Sequence, residues 1–236
     1  MEQIRVLTAD DLEKEGIEIL KDAGFIVDEK GKIPVDDLLK IIDNYDAVIV
    51  RSATKIPAPV IEKGKRLKII GRAGVGLDNI DVQAATSCGI VVMNAPEGNT
   101  LSAAEHTFAL ILSMVRHIPA ACSSLKAGKW DRKQFMGTEL FGKTLGIIGL
   151  GRIGRRVAGY AKAFGMNVLG YDPFVSEEEM QRIDVGLVTL EGICKQADII
   201  TLHLPLNKDT ENILQEQHFS MMKDGVMIVN VARGGL

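Results

Sequence analysis

With 236 residues, 46% of them hydrophobic and 25% charged, the chain has the composition of a globular protein large enough for two domains. Lys+Arg 28 against Asp+Glu 31 gives a net charge of −3, which argues against the broadly basic surface of a nucleic-acid binder. The apolar run 108–112 falls far short of the ~20 residues that span a bilayer, so no membrane segment is expected. Met1 is followed at once by a charged residue and then a strand-like run, which is not how a secretory signal begins. Cys88, Cys122 and Cys194 are odd in number and form no C-x-x-C pair, so they read as reduced thiols of a cytoplasmic protein.

Short, β-branched-rich runs at 4–8, 25–27, 47–50, 68–71 and 90–93 alternate with amphipathic stretches. These include 11–22, with Leu12, Ile17 and Leu20, and 34–42, with Leu38, Ile41 and Ile42. Such alternation predicts an α/β fold with a doubly wound parallel sheet. The segment Asn94-Ala95-Pro96-Glu97-Gly98-Asn99 is the clearest break, and a hinge is expected there, dividing the chain into 1–96 and 97–236. Ser102-Ala103-Ala104-Glu105 has capping-box spacing and predicts a helix opening at Ser102 and running through Ala109, Leu112 and Val115. From 141 onward, strands are expected at 145–149, 167–171, 198–202 and 226–231, with helices between them.

Within that second half, Gly149-Leu150-Gly151-Arg152-Ile153-Gly154 follows an apolar strand run and precedes a helix-compatible stretch. With 24 glycines in the chain, a lone G-x-G-x-x-G would be weak, and the strand-turn-helix context is what strengthens it. Gly149 permits a tight turn, Gly151 lets backbone approach a pyrophosphate at the helix N-terminus, and Gly154 lets helix and strand pack closely. Asp172 ends the next strand run about 20 residues on, placed to accept hydrogen bonds from an adenosine ribose. Pro173 and Phe174 follow it, so no adjacent cation awaits a 2′-phosphate and NAD is favoured over NADP.

The last strand run leads into Asn230-Val231-Ala232-Arg233-Gly234-Gly235. An arginine at a strand's carboxyl end can fork onto a carboxylate and polarise an adjacent carbonyl, although such residues are more often surface ion-pair partners. Arg51 and Arg72 also follow strand runs, and two guanidiniums on neighbouring strand ends suit a dianionic phosphate. Solvated strand-end charges are the plainer alternative for both.

Taken together, Arg51-Ser52-Ala53-Thr54-Lys55, the 71–81 stretch Gly-Arg-Ala-Gly-Val-Gly-Leu-Asp-Asn-Ile-Asp, Asn99-Thr100-Leu101-Ser102-Ala103-Ala104-Glu105, the Gly149 loop and 230–235 resemble the D-isomer-specific 2-hydroxyacid dehydrogenase family. The likeness covers essentially the whole chain, and it is strongest to members that oxidise 3-phosphoglycerate. It implies two Rossmann-like domains, a flavodoxin-like substrate domain and an NAD-binding domain, with a cleft between them and a homodimer formed through the NAD-binding domain. It further implies that Gly149, Gly151, Arg152, Ile153 and Gly154 meet the pyrophosphate, Asp172 the ribose, and Leu204, Val231, Ala232 and Arg233 the adenine and nicotinamide ends. Gly74 and Val75 would offer backbone N–H groups to the substrate carboxylate, Val75 would also face nicotinamide, and Asn99 would join the substrate site. Arg233 would be the catalytic arginine, and no metal is expected. Lys126, Lys129, Arg132 and Lys133 surround Trp130 in a basic stretch that either nears a partner's site or forms a solvated dimer arm.

The resemblance also implies a glutamate and a histidine beyond the arginine, serving as tuned proton donor. The sequence ends three residues after Arg233, so the chain as written is expected to lack both, along with the last strand-helix units of the fold. None of the four histidines matches the donor: His106 and His117 are expected to pack or cap, His203 to line the cofactor pocket, and His218 to be exposed. Other readings are a glyoxylate, hydroxypyruvate or lactate-type reductase, a corepressor-like NAD-binding protein, or a cofactor-binding fragment without activity.

Overall fold

A computed structural model describes residues 3–236. The chain forms two compact units, the first ending at Asn99 and the second running from Thr100 to Leu236.

The first unit contains β1 (Arg5–Thr8), α1 (Lys14–Asp22), β2 (Ile26–Glu29), α2 (Val35–Ile41), a 3₁₀ turn at Ile42–Asn44, β3 (Ala47–Val50), α3 (Ala58–Lys63), β4 (Ile69–Arg72), α4 (Val82–Ser87) and β5 (Val91–Asn94). Its five strands are all parallel in the order β2-β1-β3-β4-β5, the flavodoxin-like arrangement. Leu7, Val48, Val50 and Ile70 pack with Leu38, Val60, Ile61 and Ala85 of α2, α3 and α4 in one core. The opposite face of the sheet carries α1 and is more open, with Ile69, Val91 and Met93 exposed. Helix α1 begins at Lys14 and not at position 11 as expected, because Asp10 and Asp11 adopt left-handed backbone (φ 66 and 51) that no helix can contain.

The second unit contains α5 (Thr100–Val115), α6 (Ile118–Lys126), a 3₁₀ turn at Arg132–Phe135, β6 (Thr144–Ile148), α7 (Arg152–Ala163), β7 (Asn167–Tyr171), α8 (Glu177–Arg182), β8 (Gly186–Leu187), α9 (Leu190–Gln196), β9 (Ile199–Leu202), α10 (Glu216–Phe219) and β10 (Met227–Asn230). Its parallel order β10-β9-β6-β7-β8 reads, renumbered from β6, as the 3-2-1-4-5 core of a dinucleotide-binding sheet. After Thr144, strand β6 is apolar because both faces are covered: Leu145 and Ile147 meet α5 and α7, while Ile148 meets the α9 side. One expectation fails in α5: the helix starts at Thr100, so Ser102 lies within it and not at its cap. It runs through Ala109, Leu112 and Val115 as expected, with Ala104, Thr107, Phe108, Ile111 and Val115 as its buried stripe. The two-residue edge strand β8 is too short to leave a periodic signal.

Candidate functional site

The loop after β6 is shaped by backbone contacts that only glycine permits. Gly149 has φ +97, and a Cβ there would lie 2.8 Å from the His203 backbone and 2.9 Å from Leu204 Cδ2. A Cβ on Gly154 would drive into the Gly149 carbonyl, so α7 can sit against the turn only without a side chain at that position. Gly151, the N-cap of α7, is the exception: a Cβ there would meet nothing within 4 Å, and no side chain caps the helix. The loop is therefore closed on its protein side and open at the N-terminus of a 12-residue helix, which fits the approach of a pyrophosphate. Arg152 is exposed and Ile153 half-buried in that first turn.

Leu150 is held from three directions. Its side chain is fully buried and lies so close over Gly170 that a Cβ on that residue would stand 2.5 Å from Leu150 Cδ1. Its N–H donates to Asp172 Oδ2 at 2.8 Å, and its carbonyl accepts from Arg155 Nε at 2.6 Å. Arg155 is steadied in turn by Glu179 on α8, at 2.5 Å. Asp172 also accepts from Phe174 N–H at 2.9 Å. Its half-buried carboxylate thus props the glycine loop and, with its remaining lone pairs, is available to a ribose. Arg155 was invisible as a loop brace in the sequence, since its partner is a backbone carbonyl.

Register places Asn230, Leu202, Ile148 and Tyr171 in one row across β10, β9, β6 and β7, so the loops that follow leave from the same carboxyl edge. Leu204 leans over Gly149, and Leu206 over Gly235. The turn carrying Arg233 is built by Asn230: its Oδ1 accepts from Ala232 N–H at 3.0 Å and its Nδ2 donates to Arg233 O at 2.7 Å. The Arg233 guanidinium is half-buried and donates through Nη1 to Ala232 O at 2.9 Å. Val231 packs against the α5–α7 core. Asn230 belongs to this construction although it was read only as part of a motif; an Asn at a strand end that starts an Asx turn was the available signal.

In the first unit, register pairs Val50 with Arg72 and Arg72 with Asn94, so Arg51 and Arg72 emerge side by side at the carboxyl edge. Arg51 is exposed and Arg72 half-buried. The Arg72 guanidinium lies across Gly74 so closely that any Cβ there would collide with it. Gly74 N–H donates to Arg72 O at 2.8 Å, closing a tight turn, and is committed within the protein. Of the two expected carboxylate donors, Val75 N–H is the one that makes no hydrogen bond among the described residues, while Val75 O accepts from Asn94 Nδ2 at 2.7 Å. Asn99 is exposed just before α5.

The histidines depart from expectation. His218 is only 5% exposed, its Nδ1 accepting the Gln215 N–H at 3.0 Å in a capping box at the start of α10. His106 is exposed, as is His117, which holds left-handed backbone (φ 53) ahead of α6 with no side-chain cap; neither packs into the core. His203 lies half-buried beside Gly149, its Nε2 3.1 Å from Thr201 Oγ1, and burial lowers its pKa to about 4. Trp130 is 70% exposed, with Arg132 over its ring at 5.9 Å. Among the described residues no single helix is long and apolar enough to cross a membrane.

Comparison with known proteins bears on both units. Residues 108–236 match the D-isomer specific 2-hydroxyacid dehydrogenase, NAD binding domain. The chain is 51% identical over 233 residues to the D-3-phosphoglycerate dehydrogenase of Archaeoglobus fulgidus, covering 99% of this chain and 44% of that protein. It is 48% identical over 232 residues to the D-3-phosphoglycerate dehydrogenase of Homo sapiens, covering 98% and 44%. The chain thus spans less than half the length of these relatives. Among solved structures, D-lactate dehydrogenase from Aquifex aeolicus, complexed with NAD and lactic acid, superposes with a TM-score of 0.88 at 33% identity, over 98% of this chain and 69% of that one. With the strand orders, the glycine loop and the Asp172 brace already in place, these matches make the chain a member of the D-isomer-specific 2-hydroxyacid dehydrogenase family.

Proposed function

We propose that the protein works in the NAD-dependent oxidation of 3-phospho-D-glycerate to 3-phosphohydroxypyruvate, the entry step of phosphorylated serine synthesis. The observation that carries the substrate choice is the pairing of Arg51 and Arg72 on adjacent strand ends, beside the uncommitted Val75 N–H. Two guanidiniums suit a phosphate dianion, and an unpaired backbone donor suits the substrate carboxylate. Identity near one half to D-3-phosphoglycerate dehydrogenases supports the same choice.

On this reading, 1–96 is the substrate-binding part and 97–236 the NAD-binding part. Gly149, Gly151, Arg152, Ile153 and Gly154 hold the pyrophosphate, Asp172 the ribose, and Leu204, Val231 and Ala232 flank the bases. Bound NAD supplies the hydride acceptor. Arg233, its turn set by Asn230, orients the substrate carboxylate and stabilises charge on the C2 oxygen. Gly74 contributes by leaving room for the Arg72 guanidinium, and Asn99, exposed at the last position of the hinge, joins the substrate site. The exposed apolar side chains Ile118, Leu125 and Trp130 of the second unit support a homodimer formed through it, in a cytoplasmic enzyme.

Titration of 3-phosphoglycerate and of D-glycerate into the NAD-saturated chain tests the substrate assignment. Arg51→Ala and Arg72→Ala should each weaken the phosphorylated ligand by about 10- to 100-fold, the worth of a charge-assisted hydrogen bond, and leave glycerate nearly unchanged. Equal losses on both ligands, or a parent chain that does not prefer the phosphorylated one, would sink it.

A further inference from the structure

Asp10 is a carboxylate that is 8% exposed and has no assigned task. It stands just past β1 with left-handed backbone (φ 66), a conformation that costs a non-glycine residue and persists only when its surroundings enforce it. Three backbone N–H groups converge on one of its oxygens: those of Arg51 at 3.0 Å, Ala53 at 3.1 Å and Thr54 at 2.9 Å, all donating to Oδ2. The Thr54 hydroxyl donates to Oδ1 at 2.6 Å while accepting from Ile33 N–H at 3.1 Å. Burial alone would raise the Asp10 pKa, but these hydrogen bonds outweigh it and hold the group below the ordinary carboxylate range.

The same loop is gripped from its other side. Asn79 is buried, and its Nδ2 donates to the carbonyls of Arg51 at 2.9 Å and Thr54 at 2.7 Å. Residues 51–54 are therefore fixed at both their N–H and their C=O groups by two side chains from distant parts of the sequence, while the Arg51 side chain itself is exposed. With the backbone of 51–54 fixed in advance, a ligand held by the Arg51 side chain does not bear the entropy cost of ordering the loop.

We propose that Asp10, backed by Asn79, is a positioning residue that holds the 51–54 loop so that the Arg51 guanidinium is pre-set for a phosphate group. The proposal rests on the reading of Arg51 as a phosphate ligand. It deepens that reading by naming the groups that make Arg51 selective.

The test is calorimetric titration of 3-phosphoglycerate and D-glycerate into the NAD-saturated full chain carrying Asp10→Ala, Asp10→Asn, Arg51→Ala or Asp10→Ala with Arg51→Ala. Asp10→Ala should weaken 3-phosphoglycerate about tenfold and glycerate less than about twofold, and the double variant should lose little beyond Arg51→Ala alone, since the two act as one unit. Asp10→Asn keeps the size and one acceptor, so it should fold if Asp10→Ala does not and show a smaller loss of the same selective kind. Additive losses, or a lowered melting temperature with the ligand ratio unchanged, would overturn the positioning role while leaving the phosphate reading intact. If Arg51→Ala itself leaves the ratio unchanged, the phosphate reading falls and this proposal with it.

Discussion

His203 shows how one ring reports the dryness of the cofactor loop. Burial against the Gly149 turn lowers its pKa from the ordinary 6.5 to about 4, so the folded state holds it neutral. Because the unfolded chain binds the proton first, the contribution is fully present above pH 6.5 and is lost as pH falls through the interval down to about 4. The depression corresponds to up to about 3 kcal/mol of acid sensitivity. Urea denaturation at pH 7.5 and pH 4.5 should show a drop in stability that His203→Gln reduces by a large part of that amount. An equal pH dependence in the two proteins would mean the ring is solvated. At this scale the sequence was legible where a residue's type fixes local geometry, as in the tight turn at Gly149 and the close helix seat at Gly154. It was silent where a side chain serves the backbone of a distant segment, as Asp10, Arg155 and Asn230 do, and it misjudged His218, whose polar neighbours hid a buried cap.

At the scale of elements, the close seat of α9 on β6 depends on a missing side chain. A Cβ on Gly146 would stand 2.6 Å from Ile193 Cγ2 and 2.9 Å from Ala197 Cβ, so the helix rides directly on the strand. Gly146→Ala should cost about 1–3 kcal/mol through overpacking. Ile193→Leu removes the offending Cγ2, so the double variant should be more stable than the sum of the two single losses, a coupling readable in denaturant midpoints. Strict additivity would mean that the layers adjust without strain. Strands such as 47–50 and 145–148 were legible because a parallel strand covered on both faces is a continuous apolar run. Helix starts were less so. The start of α1 is set by left-handed backbone at Asp10 and Asp11, and that of α5 by the exit from the hinge, while the residues read as a capping box fall inside the helix.

Across the whole molecule, each unit has an apolar core drawn only from its own residues. Leu7, Val48, Ile61 and Ile70 serve the first, and Leu145, Ile147, Val157 and Ile199 the second. Both sheets are parallel, and each pairs only strands of its own unit. Independent cores make the units separate cooperative blocks, and a ligand that binds one block stabilises that block alone. The glycine loop, Asp172 and Arg233 all lie in the second unit, whereas Arg51 and Arg72 lie in the first. Differential scanning calorimetry should therefore resolve two transitions. NADH at a hundred times its Kd should raise the second unit's transition by the equivalent of about 2.7 kcal/mol and leave the other where it was. Adding 3-phosphoglycerate alone should then move the first unit's transition, because its phosphate ligands belong to that block. A single transition that shifts as a whole with either ligand would show that the units melt together, and that their separate cores do not act as separate cooperative blocks.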